Sequence, residues 1–297
     1  MLRVLAGLAT LFIVALGGLA CAGGDDEGGD GRLPVVATTA IIAALADEIG
    51  GDRISLTVLI PAGTDPHEFE LRSRDRRAID RARVLLRHGV GLDAFLDDVV
   101  KPGDARATTV TDNIRARVVD GETDPHAWHD ADNVAVMIDN IARALAAADP
   151  DGAPAYEAAA AAYRETIAAA DREARALIET VPPSQRVVVT NHDSLGYFLD
   201  RYGIRSAGSV IPGLSTAADP SAKDIADLVG IIRSEGVRAI LAEGSVDPKI
   251  ARQLAADTGV RIVDDLFGDT LGPPGSEAAT VHGMLVYNAR RISDALR

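Results

Sequence analysis

Short apolar runs alternate with helix-period patterns along most of the chain. Residues 34–38, 54–60 and 84–87 are apolar stretches of strand length, and helical spacing of apolar positions covers 41–49, 74–82 and 133–148. The same alternation returns later. Apolar runs occupy 186–190, 239–242 and 261–263, and helical patterns occupy 221–234, 248–258 and 277–296. Strands apolar on both faces and separated by helices predict an α/β chain whose parallel sheets are covered on both sides.

One segment breaks the alternation. Residues 154–181 are dominated by Ala, Glu, Arg and Ile, carry no Gly and no Pro after the first position, and stop at Pro182-Pro183. At 1.5 Å per residue this predicts a single helix of about 40 Å. Tyr156, Tyr163, Ile167, Leu177 and Val181 form a stripe placed to pack on the halves before and after it. No sustained apolar heptad supports a coiled-coil arm, so the segment is expected to be a stiff connector.

The first residues follow a different logic. Arg3 precedes an almost wholly apolar stretch at 4–16, and Gly17-Gly18 break it before it reaches membrane-spanning length. This reads as a secretory signal peptide. Leu19-Ala20-Cys21 resembles a bacterial lipobox, in which the Cys carries lipid; Cys21 is the only cysteine, so it has no internal disulfide partner. Residues 22–32 are acidic and Gly-rich and form a flexible tether. The expected organisation is therefore a signal peptide at 1–20, a tether at 21–32, an N-terminal lobe at 33–152, the connecting helix at 153–183 and a C-terminal lobe at 184–297. The formal net charge of −14 argues against nucleic acid as a partner.

The tripeptide Asp-Pro-His occurs twice, at Asp65-Pro66-His67 and Asp124-Pro125-His126. His67 follows a turn-forming run after the strand at 54–60, and strand carboxyl ends are where open α/β sheets place binding loops. His126 stands just before a helix that Asp130 or Asp132 would cap. His192 follows the run at 186–190. Three histidines in equivalent topological places point to a metal ion. Asp264, Asp265 and Asp269 all follow the run at 261–263, and the apolar neighbours of Asp269 favour it slightly as a fourth ligand.

With these motifs in order, the chain resembles the zinc- and manganese-binding solute-binding proteins of bacterial ABC transporters. The resemblance rests on Gly63-Thr64-Asp65-Pro66-His67-Glu68-Phe69-Glu70, Asp124-Pro125-His126-Ala127-Trp128, Asn191-His192-Asp193-Ser194-Leu195-Gly196-Tyr197-Phe198 and Phe267-Gly268-Asp269-Thr270-Leu271. Leu241-Ala242-Glu243-Gly244-Ser245 adds to it. It implies two Rossmann-like lobes joined by one long rigid helix, with the metal in the interdomain cleft held by His67, His126, His192 and Asp269. A His in the third motif implies zinc. The lack of a His- and acid-rich loop between the first two motifs leaves manganese or ferrous iron as alternatives. The implied partners are an ABC permease in the cytoplasmic membrane and, through Cys21, the lipid bilayer. The protein is expected to be a monomer on the outer face of that membrane.

His129 and Glu243 are candidates for supporting or alternative ligands. For His129 the competing reading is a partly exposed residue at a helix start. His88, at a strand end, is a weaker candidate of the same kind, and His282 reads as a surface or packing residue. Trp128, the only Trp, is expected behind the His126 loop. A zinc hydrolase is disfavoured because four protein ligands leave no open position and no His-Glu-x-x-His motif occurs. An iron-chelate receptor is disfavoured by an aromatic content of 4%. Capture, not catalysis, is the expected role.

Overall fold

A computed structural model describes residues 31–297. The expected signal segment, Cys21 and all but the last two residues of the tether lie outside the described residues. Among the described residues, eight α-helices and ten strands follow one another, beginning with β1 (Leu33–Thr39), α1 (Ala40–Gly50), β2 (Ile54–Ile60), α2 (Ser73–Arg81), β3 (Val84–Arg87) and β4 (Ala107–Thr109). A small hairpin, β5 (Val118–Val119) and β6 (Glu122–Thr123), precedes α3 (Ala131–Ala148) and α4 (Ala153–Glu179). The remainder is β7 (Val187–Thr190), α5 (Gly196–Tyr202), β8 (Arg205–Ser209), α6 (Ala222–Ser234), β9 (Ala239–Glu243), α7 (Lys249–Thr258), β10 (Arg261–Leu266) and α8 (Val281–Leu296).

The chain forms two α/β lobes, each with a four-stranded parallel sheet, in the orders β2-β1-β3-β4 and β10-β9-β7-β8. Counting strands within each lobe, both sheets have the order 2-1-3-4. In each, the first strand has its successor on one side and the third strand on the other, so crossovers leave in opposite directions and open a crevice at the strand carboxyl ends. β7 and β9 are buried along their whole length, which is why their sequences are apolar runs without alternation.

The long helix ties the lobes together. Its first half sends Tyr156, Ala160, Tyr163 and Ile167 into the core of the first lobe. Its second half sends Ala174 and Ile178 into the core of the second, with Val181 just beyond it. It ends at Glu179, two residues before the expected stop, because Val181 precedes proline and is driven out of the helical region. The chain also crosses back: Leu271, Ala278, Val281 and Met284 complete the first core although they follow β10. α8 starts at Val281, later than the spacing predicts, because Thr280 is extended and its hydroxyl accepts from Gly283 N–H (3.1 Å). β4, β8 and α5 are absent from the sequence-based expectation. The strands are short and rich in Thr, Ser and Arg, and seven residues are too few to establish a helical period.

Because one helix serves both cores, Ile167→Ala and Ile178→Ala are each expected to cost about 2–5 kcal/mol. Urea denaturation followed by far-UV circular dichroism checks this, and a loss below about 1 kcal/mol at either position contradicts the shared-core assignment.

Candidate metal centre

His67, His126, His192 and Asp269 converge, with one nitrogen from each ring and an oxygen of the carboxylate all lying within 4.8 Å of one another. His67 comes from the loop after β2, and His126 from the turn before α3. His192 stands two residues beyond β7, and Asp269 three beyond β10. His67 Nε2 and His126 Nε2 are 3.3 Å apart. Asp269 Oδ1 is 3.1 Å from His126 Nε2, and Oδ2 is 3.2 Å from His192 Nε2 and 3.6 Å from His67 Nε2. Ligands at about 2.05 Å from a tetrahedral zinc are separated by about 3.3 Å, so these spacings fit that polyhedron. Neither Asp269 oxygen receives a hydrogen bond, although the side chain is buried.

The Asp-Pro-His repeat has a local physical meaning. In both copies the Asp carboxylate accepts from the backbone N–H of the His two residues on, at 2.9 Å in each case, so the pair forms the same Asx turn. The second copy does more. Asp124 Oδ1 also lies 2.7 Å from His126 Nδ1. An ionised carboxylate only accepts, so Nδ1 carries the hydrogen and Nε2 faces the cluster. In the second lobe the carboxylate of Glu243, the last residue of β9, stands 2.9 Å from His192 Nδ1 as a charge partner, without the hydrogen bond that Asp124 makes. Its other oxygen accepts from Asp269 N–H (3.0 Å), and Ser194 donates to the first. Gly268 is required beside it, since a Cβ there would overlap the Glu243 carboxylate.

Burial opposes charge throughout the cluster, and the carboxylates decide where it is overcome. Burial lowers the His126 pKa, but Asp269 and Asp124 outweigh it and raise the imidazole to about 9. His192 is likewise disfavoured by burial yet lifted well above its ordinary value by Glu243 and Asp269. His67 has less support, and burial carries it below its ordinary value. Burial pushes Asp269 up, but the facing His192 and His126 hold it well below the usual carboxylate range. Positive charge at the centre of the cluster is thus favoured.

Residues 35–295 match the family model described as zinc-uptake complex component A, periplasmic. The chain belongs to this family. The metal ABC transporter substrate-binding lipoprotein FimA of Streptococcus parasanguinis is 29% identical, the match covering 99% of each chain. The manganese ABC transporter substrate-binding lipoprotein PsaA of Streptococcus anginosus is 28% identical with the same coverage. Among solved structures, the periplasmic zinc binding protein TroA from Treponema pallidum superposes with a TM-score of 0.84 at 27% identity, covering 90% of this chain and 99% of that one. The zinc-uptake component A family consists of solute-binding receptors of metal ABC transporters, not enzymes.

The other histidines of this family member separate cleanly. His129 is fully buried, which corrects the reading of a partly exposed helix-start residue. It closes the short turn Ala127–His129, and its Nε2 donates to Gly268 O (3.0 Å). Trp128 Nε1 donates to the same carbonyl (2.8 Å), and the indole stands 5.5 Å from the His126 ring, behind the loop as expected. His88 is buried and donates from Nε2 to Pro125 O (2.7 Å), holding the second Asp-Pro-His turn from below. His282 bonds with Tyr163 and Thr280 and does not join the cluster. The sequence reading missed the orienting role of Asp124; the available signal was the repeat itself, which places an Asp two residues before each His.

Burial, with His126 nearby, lowers His129 to about 4 from an ordinary 6.5. Between those values the unfolded chain binds more protons than the folded one, so stability falls as pH drops through that window. His126, protonated in both states below 6.5, adds no slope there. Urea denaturation in the presence of a chelator should show a loss of about 2 kcal/mol or more from pH 6.5 to 4.5. His129→Gln should shrink that loss; an unchanged loss contradicts the assignment.

Proposed function

We propose that this protein captures a divalent transition metal outside the cell, zinc in the first place, and delivers it to an ABC permease in the cytoplasmic membrane. His67, His126, His192 and Asp269 are the ligands in this reading. The observation that carries it is the convergence of three ring nitrogens on a carboxylate with no hydrogen-bond donor of its own. Three imidazoles and one carboxylate are a zinc donor set, and four protein ligands leave no position for a reacting water. A cavity of about 490 Å³, lined by His67, Leu92, Pro125, Leu214 and others, reaches the cluster at His67.

A second reading has its own support. Both Asp269 oxygens face the imidazoles and are free to chelate, which would raise the coordination number and admit manganese or ferrous iron. Relatives point both ways, to manganese for PsaA and to zinc for TroA.

In the proposed life of the chain, residues 1–20 are removed and Cys21 is lipidated. Residues 21–32 tether lobes 33–152 and 184–297 to the outer face of the membrane as a monomer. Relatives named lipoproteins support the anchor, and among the described residues no helix is long and apolar enough to cross a membrane. Since α4 (153–183 with its flanks) is shared by both cores, loading and release proceed through small tilts and loop movements instead of a wide hinge.

Competition of zinc, manganese and ferrous iron against a chelating dye, with metal content counted, tests the reading. One tightly held zinc per chain is expected. His192→Ala should lower zinc affinity more than about 100-fold while the fold persists, since even residues that only support metal ligands are worth 10- to 100-fold. Affinity should also fall as pH drops below about 9, because the metal must displace the proton that His126 holds up to that pH. Unchanged affinity in His192→Ala removes it from the ligand set.

A further inference from the structure

One guanidinium sits astride the boundary between the lobes, directly behind the proposed ligands. Arg117, at the base of the β5–β6 hairpin, donates from Nη1 to Asp124 Oδ2 at 2.7 Å. Asp124 is thereby used on both oxygens, one on His126 and the other on Arg117. The remaining guanidinium contacts cross to the second lobe. Nη1 and Nη2 each reach Asp193 Oδ2 at 3.2 Å, and Nε stands 3.3 Å from Asp200 Oδ2. Asp193 is the residue next to His192. The Arg117 backbone N–H donates to Tyr197 Oη (2.8 Å), and that hydroxyl donates to Asp124 O (3.2 Å), so a second bridge runs parallel to the first.

The second lobe is shaped to admit this contact. Gly196 opens α5, and a Cβ at that position would overlap the Arg117 guanidinium. The three nearest atoms to that Cβ all belong to the guanidinium, so an alanine there would press on the arginine side chain.

We propose that Arg117 is a positioning residue that couples the two halves of the metal site, fixing His126 through Asp124 and, through Asp193 and Gly196, the loop that carries His192. The proposal rests on the ligand assignment above. Breaking the bridge leaves both imidazoles in place but lets the lobes drift apart, so the effect falls on how long the metal is held. A guanidinium that acted only as a nearby positive charge would have the opposite sign, because removing it would favour a bound dication.

Zinc affinity and release rate, read by chelator competition and stopped-flow exchange, test this in the mature protein with Arg117→Ala, Arg117→Lys, Gly196→Ala, Asp124→Asn and the double variant Arg117→Ala/Asp124→Asn. Arg117→Ala is expected to bind about 10- to 100-fold more weakly, mostly through faster release. Gly196→Ala, which keeps every charge and presses on the guanidinium, should show the same defect. Arg117→Lys should recover part of it. In the Asp124→Asn background, Arg117→Ala should weaken binding by less than it does in the wild type, because one of its two arms acts through Asp124. Wild-type affinity and release in both Arg117→Ala and Gly196→Ala, or tighter binding in Arg117→Ala, overturns the proposal while the ligand assignment stands. Failure of the unaltered protein to take up zinc overturns the ligand assignment itself, and the role of Arg117 with it.

Discussion

Three imidazoles and one carboxylate share a buried space in which two ring nitrogens stand 3.3 Å apart and the carboxylate receives no hydrogen bond. Such a cluster is costly without a cation at its centre, since each group is desolvated and the rings repel one another once protonated. Everything around it works to hold that arrangement open. Asp124 fixes the His126 ring through Nδ1, which sets its tautomer and directs Nε2 inward, and the Glu243 carboxylate stands 2.9 Å from His192 Nδ1. The carboxylates also tilt the local field so that positive charge belongs at the centre. The field selects a cation, and the donor geometry narrows which one.

The fold makes this possible by using one topology twice. Each sheet has the same strand order, and each opens a crevice at the carboxyl ends of its strands. β7 and β9 are adjacent, so His192 beyond one and Glu243 at the end of the other meet without any long reach. The first lobe supplies His67 and His126 from two copies of one Asx turn. α4 then limits how far the two crevices move relative to each other, because it belongs to both cores. A rigid frame with a small, carboxylate-braced opening suits retention and handover of an ion.

Much of this was legible in the sequence because the signals are local. Apolar runs marked β1, β2, β7 and β9, and an Ala-rich stretch bounded by prolines marked α4. The proposed ligands stood out because His67 and His126 repeat a tripeptide and His192 follows a buried strand. What stayed hidden depends on partners far away in sequence. The burial of His129 comes from Gly268, 139 residues on, and no pattern around His129 reports it. The same holds for Arg117, whose Asp193 partner lies 76 residues away. β4 and β8 were invisible because edge strands rich in Thr and Ser need a neighbour to be strands at all.

The central claim is that His67, His126, His192 and Asp269 together hold the metal. X-ray absorption at the zinc edge of the purified, zinc-loaded protein addresses it most directly. The account predicts three imidazoles at about 2.0–2.1 Å with carboxylate oxygen completing the shell. A spectrum of a hydrated ion, or one with fewer than three imidazoles, contradicts it.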